Sequence, residues 1–214
     1  RKNDNLFLMK ELTRHLKEIG VLKSSRIEEA LLAADRADFV PAELKKNAYA
    51  DEALPIGHGQ TISQPYTVVF MLELLGVQRG NKVMEAGYGS GWQSALLAHL
   101  VGEEGKVFAY EIVPELCEFG KENMLKYPEL VKRIQLFCES AEGGVSGLGG
   151  AKLDRIISGA AMNEIPNAWH EQLAENGIMV YPSGRSIFRE VKISADKFSV
   201  EEYPGFLFVP FIRL

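Results

Sequence analysis

The chain has 214 residues, enough for one large domain with a sizeable buried core. Its hydrophobic fraction of 46% and charged fraction of 25% are those of a soluble globular protein. A net charge of −5 argues against a nucleic-acid binder, and no apolar run approaches the roughly 20 residues that span a bilayer. We therefore expect a protein that binds neither nucleic acid nor membranes. We also expect a monomer, although no sequence pattern reveals the oligomeric state.

Metal and disulfide chemistry have little support in the sequence. Cys117 and Cys138 are the only two cysteines, and they lie far apart in the chain without metal-ligand spacing. We expect both to be buried, reduced thiols, which is consistent with a cytoplasmic location. The four histidines form no His-x-x-x-His pair, so we predict no metal site.

Two helices are predicted before any strand. Residues 3–20 place apolar side chains on one helical face and end at Gly20, a favourable C-terminal cap. Ser25 and Glu28 have the spacing of a capping box, which predicts a second helix from Ser25 to about residue 35. We interpret residues 1–60 as a helical appendage with a substrate-side segment, and residues 61–214 as the α/β core.

A third helix is predicted to begin at Pro65, because proline is favoured at the first helical position. Ser63 would lie just before this helix. The free N–H groups and the dipole of a helix start favour an anion, so Ser63 could help to bind one. Alternatively, Ser63 simply caps the helix, and the residues by themselves favour this second interpretation.

The segment K-V-M-E-A-G-Y-G-S-G-W, residues 82–92, predicts a strand, a glycine turn and a helix start. Glycines let the backbone approach a ligand closely, and the helix start offers unpaired N–H groups. The dinucleotide fingerprint G-x-G-x-x-G is absent, and Glu85 would repel a pyrophosphate. The carboxylate of Glu85 suits a cationic ligand such as S-adenosylmethionine, which carries an ammonium and a sulfonium. The alternative is an ordinary turn whose glycines serve packing.

A second acidic residue follows the next predicted strand, residues 106–110. Glu111 lies about twenty residues beyond the glycines, where a carboxylate can accept hydrogen bonds from ribose hydroxyls. The alternative is a solvated charge at the end of a strand.

The rest of the chain predicts further alternating elements. Strands are predicted at 134–138, 153–157 and 178–181, with a helix from Pro166 to Gly177. Such alternation implies a parallel sheet with helices on both faces and a ligand crevice at the carboxyl ends of its strands. From Ser186 onwards the pattern predicts consecutive strands, the last at 206–212, with an antiparallel pair that completes the sheet.

The segment Y-A-D-E-A-L-P-I-G-H-G-Q-T-I-S-Q-P, residues 49–65, resembles the signature of protein-L-isoaspartate O-methyltransferases. The resemblance continues through the glycine turn to F-V-P at 208–210. It implies a Rossmann-like α/β fold with a seven-stranded methyltransferase sheet, mostly parallel with a C-terminal antiparallel hairpin, plus N-terminal helices. It also implies methyl transfer from S-adenosylmethionine, leaving S-adenosylhomocysteine, to the α-carboxylate of L-isoaspartyl residues in damaged proteins.

The resemblance further implies the residues of the site. Ser63 falls on the active-site serine of the family, which reverses the preference for a simple cap. The implied cofactor contacts are Ile56, Gly57, His58, Gly59, Glu85, Gly87, Gly89, Glu111, Ala141 and Glu142.

Two alternatives within the same fold stay open. One is a related carboxyl O-methyltransferase that acts on a dedicated peptide or aspartate, which the bulky Tyr88 and the early end at Leu214 would favour. The other is a homologue that binds S-adenosylmethionine with little or no catalysis. A Tyr88 side chain in the donor's place would contradict the enzyme hypothesis.

Overall fold

The computed structural model describes residues 2–212, so the predicted early end at Leu214 lies outside the described residues. The α-helices are α1 (Lys2–Glu18), α2 (Ser25–Ala33), α3 (Pro65–Leu75), α4 (Trp92–Val101), α5 (Pro114–Met124), α6 (Pro128–Val131) and α7 (Asn167–Gln172). The strands are β1 (Leu54–Gly57), β2 (Gln60–Ile62), β3 (Lys82–Ala86), β4 (Lys106–Glu111), β5 (Ile134–Cys138), β6 (Leu153–Ser158), β7 (Leu173–Ser183), β8 (Ser186–Ser194) and β9 (Lys197–Pro204). Short 3-10 helices occupy Arg36–Asp38 and Ala42–Asn47.

Seven strands form one sheet in the order β5-β4-β3-β6-β7-β8-β9. The first five of these are parallel, and β8 is antiparallel to both β7 and β9. The predicted sheet with its C-terminal antiparallel hairpin is therefore confirmed. The strand order reverses at β3, because β4 and β5 are added on one side of it and β6 and the later strands on the other. Ligands of parallel α/β sheets bind at such a topological switch point.

The start of α2 differs from the prediction. Ser24, not Ser25, is its N-cap residue, and Ser24 makes no side-chain capping bond, so the predicted capping box is wrong. A residue of another helix accepts the free N–H groups before α2 instead. Glu73 of α3 accepts hydrogen bonds from the N–H groups of Lys23 and Ser24, each at 2.7 Å.

The prediction of a helix up to Gly177 is also wrong. Helix α7 ends at Gln172, and β7 begins at Leu173, which pairs with Leu153 of the neighbouring strand. The register shifts between this pair and the next, and Asn176 takes a positive φ of 61° in the same stretch. Pairing with β6 therefore extends the strand backwards through residues that were assigned to the helix.

Residues 206–212 do not form the predicted last strand, apart from one bridge between Ala161 and Pro210. Gly205, with φ of 104°, turns the chain away from the sheet edge. The segment is then held to the loop after β6, because Ala161 donates its N–H to Val209 and accepts the N–H of Phe211. This places the segment beside the carboxyl ends of the parallel strands.

The expectation of two buried, reduced thiols is wrong, since Cys117 and Cys138 form a disulfide bond and Cys138 is exposed. Cys138 ends β5 opposite Glu111, and Cys117 lies in the helix that follows β4. The sheet thus brings together two residues that are 21 positions apart in the chain. The cysteines therefore give no support to a cytoplasmic location.

The N-terminal helices share one hydrophobic core with the sheet and with α3, α4 and α5. Arg36 is buried within this part of the molecule with a relative exposure of 0%. No helix within residues 2–212 is long and apolar enough to cross a membrane.

Candidate active site

The glycine turn follows the central strand β3. Gly87, Gly89 and Gly91 all have positive φ values, 81°, 48° and 85°, which L side chains rarely adopt. The N–H groups of Gly87 and Tyr88 both donate to the carbonyl oxygen of Tyr110, at 2.8 and 3.0 Å. The turn is therefore tied to the end of β4, and its backbone lines the cleft.

The side chain of Tyr88 does not fill the cleft. It is buried against α5, where its hydroxyl donates to the carbonyl oxygen of Cys117 at 3.2 Å. Gly120 of α5 makes room for the ring, because a Cβ at position 120 would lie 2.8 Å from Cε2 of Tyr88. The ring of Tyr88 thus packs against α5 and does not line this cleft, although Tyr88 borders the neighbouring space beside Glu85.

Glu111 lies at the end of β4 and is almost fully buried. Its carboxylate accepts hydrogen bonds from the N–H groups of Gly89 at 2.9 Å, Ile112 at 2.8 Å and Val113 at 3.0 Å. The same side chain therefore holds the glycine turn and faces the cleft, with lone pairs that remain for hydroxyl donors of a ligand.

Glu85 is a fully buried carboxylate at the end of β3. Burial raises its pKa to about 7, against the opposing effect of hydrogen bonds from Ser94 and Gln93. Among the described residues Glu85 has no ion-pair partner. A buried carboxylate that lines a cleft without a cation fits a positively charged ligand group.

The predicted contacts around residue 57 lie in a hairpin that the sequence pattern did not reveal. Strands β1 and β2 are antiparallel, and their tip contains His58 and Gly59 with φ of 53° and 70°. Ile56 points inward, so that a Cβ on Gly89 would lie 3.2 Å from its Cδ1. Gly57, His58 and Gly59 are exposed and do not line the cleft.

One cleft, with a volume of about 590 Å³, is lined by five of the ten predicted cofactor residues. Ile56, Gly87, Gly89, Glu111 and Ala141 line it, whereas Glu142 does not. Sequence reasoning missed other residues of its wall. Some lie within two positions of a predicted residue: Gln60, Thr61, Ile112, Val113 and Ser140. Residues 209–212 of the wall come from the segment after β9, which no local pattern marked as part of the site.

Ser63 lines an adjoining cleft of about 400 Å³ together with Glu85, Gly87 and Gly89. Gly87 and Gly89 also line the larger cleft, so the two spaces meet at the glycine turn. Ser63 is not the cap of α3, because the N-cap residue is Gln64. Asp51 instead accepts the N–H of Tyr66 at 2.8 Å, which occupies one of the free donors at this helix start.

The buried guanidinium of Arg36 supports the serine segment from behind. It donates to the carbonyl oxygens of Ser63 at 3.1 Å, Ala48 at 2.8 Å and Glu52 at 2.9 Å. It also lies over the ring of Trp92, the first residue of α4, at 5.3 Å from the ring centroid. Sequence reasoning did not single out Arg36, because no local pattern marks a buried arginine.

The fold and the site define a class of protein. A central strand, a glycine turn and a cleft at the carboxyl ends of parallel strands, in a sheet that ends in an antiparallel hairpin, are features of the Rossmann-like fold of S-adenosylmethionine-dependent methyltransferases. A chain described as a protein-L-isoaspartate O-methyltransferase of Plasmodium falciparum, in complex with S-adenosyl-L-homocysteine, has the same fold. The TM-score is 0.85 at 24% identity, over 95% of this chain and 97% of that one.

Sequence comparison identifies the family. A sequence model of protein-L-isoaspartate(D-aspartate) O-methyltransferases (PCMT) matches residues 8–213. The protein-L-isoaspartate O-methyltransferase of Methanopyrus kandleri is 38% identical, over 94% of this chain and 89% of its own. That of Anaeromyxobacter dehalogenans (strain 2CP-1) is 40% identical, over 95% of each. The chain therefore belongs to the protein-L-isoaspartate(D-aspartate) O-methyltransferase family, which confirms the resemblance.

Proposed function

We propose that this protein transfers the methyl group of S-adenosylmethionine to the α-carboxylate of L-isoaspartyl residues in damaged proteins. S-adenosylhomocysteine is the other product. The observation that carries the proposal is that Ser63 lines the same cleft as Glu85 and the glycine turn, in a chain that belongs to this family. Donor and acceptor groups can therefore meet at one place.

The two adjoining clefts together fit the cofactor, with Glu85 in the smaller one and Ile56, Glu111 and Ala141 in the larger one. Glu85 would pair with the ammonium of the methionine part, and Glu111 would accept the ribose hydroxyls. Ile56 and Ala141 offer apolar walls for the flat adenine ring. Gly57, His58, Gly59 and Glu142 lie outside the cleft wall, and contacts from them are proposed on the family resemblance.

Bound S-adenosylmethionine supplies an electrophilic methyl group on a sulfonium. The acceptor carboxylate is ionised at neutral pH, with an ordinary pKa near ~4, so this chain needs no general base for the transfer. What remains is orientation. The hydroxyl of Ser63 would donate to the carboxylate and hold it in line with the methyl group, at the roughly 3–3.5 Å of a near-attack geometry.

The segment after β9 suits a polypeptide acceptor. Leu207 and Phe208 make no backbone hydrogen bond within the described residues, and Leu207 has a relative exposure of 74%. Together with Ser63 they line a groove of about 1000 Å³. Free N–H and C=O groups beside the serine are available to an extended peptide, as in recognition by strand addition.

Methylation of paired peptides tests this function. Two synthetic peptides that differ only in one residue, L-isoaspartyl or L-aspartyl, would be incubated with S-adenosylmethionine that carries a tritiated methyl group. We expect labelling of the isoaspartyl peptide alone. Equal labelling of both peptides would favour a different carboxyl methyltransferase, and calorimetric binding of the cofactor without labelling would favour a non-catalytic homologue.

The proposal also includes the setting in which the protein acts. Action as a monomer stays a prediction, which sedimentation equilibrium would test. The negative net charge supports protein substrates without nucleic acid. A cytoplasmic location stays a prediction, which fractionation of cells would test.

A further inference from the structure

The groove that begins at Ser63 does not end at the segment after β9. Its wall includes Gln64, Gly205 and Phe206. The same three residues line an adjoining groove of about 920 Å³, together with aromatic side chains of α3 and β9. The two spaces therefore form one continuous path along the surface, with the serine near one end and an aromatic wall at the other.

The aromatic wall consists of Tyr66, Phe70, Tyr203 and Phe206, and we call it the aromatic groove. Phe70 is central, with ring centroids 5.1 Å from Phe206, 5.4 Å from Tyr203 and 6.2 Å from Tyr66. Each of these rings is only partly buried. Four neighbouring aromatic faces that stay in contact with water leave apolar area that a bound side chain would cover.

We propose that the aromatic groove binds an aromatic or large aliphatic side chain of the substrate polypeptide, close in sequence to the residue that is methylated. The inference rests on the proposed function and deepens it. Continuity identifies the occupant, because a chain that places a carboxylate at Ser63 and extends along this path reaches Phe70 and Phe206. The segment that contains Leu207 and Phe208, with its free backbone groups, lies along the same path.

This arrangement selects a class of substrate. Large apolar side chains are mostly buried in folded proteins and become accessible in unfolded or frayed segments. A cleft that binds a carboxylate together with a nearby aromatic side chain would therefore favour isoaspartyl residues in locally unfolded chains. Isoaspartyl residues in polar loops would bind less tightly, although the chemistry at Ser63 is the same.

A peptide scan with the unaltered enzyme tests the proposal. The peptides would carry isoaspartate at the centre of nine residues, with glycine and serine elsewhere and a single phenylalanine moved through each other position. We expect KM to fall about tenfold for a few adjacent positions on one side, because the ring loses contact with water there, while kcat changes little. Equal KM values for all positions would overturn the proposal.

Two variants locate the effect. In Phe206→Ser and in Phe70→Gln the ratio of KM between the glycine peptide and the best phenylalanine peptide should fall towards one. Phe7→Ser is the matched control, since Phe7 is an exposed phenylalanine of α1 that lines neither groove, and it should keep the ratio. A ratio that persists in both groove variants would contradict the assignment, even if their activity is reduced.

Other outcomes separate this inference from the function on which it rests. If no isoaspartyl peptide is methylated, the proposed function fails, whatever occupies the groove. If all peptides are methylated with one KM, the function holds and the aromatic groove has no part in it. Concentration-dependent dimerisation that Phe70→Gln abolishes would show that a second copy of the chain covers the groove, which also overturns the proposal.

Discussion

Arg36 donates a hydrogen bond through Nη2 to the carbonyl oxygen of Ser63, at 3.1 Å, from a position that is closed to solvent. The same guanidinium holds the carbonyl oxygens of Ala48 and Glu52. Burial lowers its pKa to about 10, so it stays protonated at neutral pH. Ser63 is therefore positioned by a residue that lies 27 positions before it in the chain.

Replacing this arginine should lower the stability of the fold. In Arg36→Met the carbonyl oxygens of Ala48, Glu52 and Ser63 lose a buried donor, and we expect the free energy of unfolding to fall by about 3 kcal/mol. Urea unfolding measures this change. Arg14→Met is the control, because Arg14 forms only exposed ion pairs and should cost no more than about 0.5 kcal/mol. A similar loss in the two variants would show that the buried contacts contribute little.

The hydroxyl of Ser63 should matter for transfer more than for cofactor binding. In Ser63→Ala we expect kcat for an isoaspartyl peptide to fall about a hundredfold, because the carboxylate loses its orienting donor. Calorimetry should give an unchanged Kd for S-adenosylmethionine. Ser146→Ala, at an exposed position of the loop after β5, serves as the control. Normal turnover by Ser63→Ala would contradict the proposed role.

Cofactor affinity should depend on pH through Glu85. Its pKa is raised from an ordinary value of 4.5 to about 7, so the free site holds a proton below pH 7 and must release it to pair with an ammonium. Between about pH 7 and pH 5 we expect the Kd for S-adenosylmethionine to rise by up to about tenfold per pH unit. Calorimetry over this range measures the effect.

The raised pKa of Glu85 also predicts how the stability of the ligand-free protein depends on pH. The pKa of Glu85 is higher in the folded state than in the unfolded state. Its stabilising contribution to the free energy of unfolding is therefore complete below about pH 4.5 and is lost as the pH rises through about 7. Glu85→Gln should remove this pH dependence from both the affinity and the unfolding free energy. If Glu85→Gln kept the pH profile of the parent protein, the pH dependence of affinity and stability would belong to another group.

Glu111 should contribute to cofactor affinity in two ways. Glu111→Ala removes the acceptor for ribose hydroxyls and also frees the N–H of Gly89, so the glycine turn loses one of its ties to the end of β4. We expect binding of S-adenosylmethionine to weaken by about 1–3 kcal/mol, as measured by calorimetry. Glu111→Gln keeps one acceptor oxygen and should lose less. Equal affinity of Glu111→Ala and the parent protein would exclude the residue from the site.

The disulfide should stabilise the protein and the cleft. Residues 111–113 and 139–141 form two sides of the cofactor cleft. Cys117 comes shortly after the first of these segments and Cys138 directly before the second, so the disulfide bond joins the two sides. Closing a loop of about 20 residues contributes about 3 kcal/mol in the chain-entropy estimate. Dithiothreitol should therefore lower the urea midpoint and weaken S-adenosylmethionine binding.

Cysteine variants provide the control for that experiment. Cys117→Ala and Cys138→Ala each break the same bond, so both should lose similar stability and neither should respond further to dithiothreitol. Two free thiols in the native protein, measured with a thiol reagent under non-denaturing conditions, would contradict the disulfide.

Much of the sheet was predictable because its signals are local. The strand at β3, the glycines after it and the helix that follows are consecutive in the chain, so their periodicity and backbone requirements appear in one short segment. The helix predicted up to Gly177 failed for the opposite reason. Leu173 pairs with Leu153 of another strand, and that pairing leaves no trace in the local pattern.

The site divides in the same way. Glu85, Glu111 and the glycines follow from spacing, and Ser63 follows from the family signature. Tertiary structure alone decided that Tyr88 turns away from the cleft towards Gly120. It also joined Cys117 to Cys138 and placed Arg36 behind Ser63. Spacing along the chain records backbone preferences, whereas these contacts depend on which distant side chains the folded sheet brings within bonding distance.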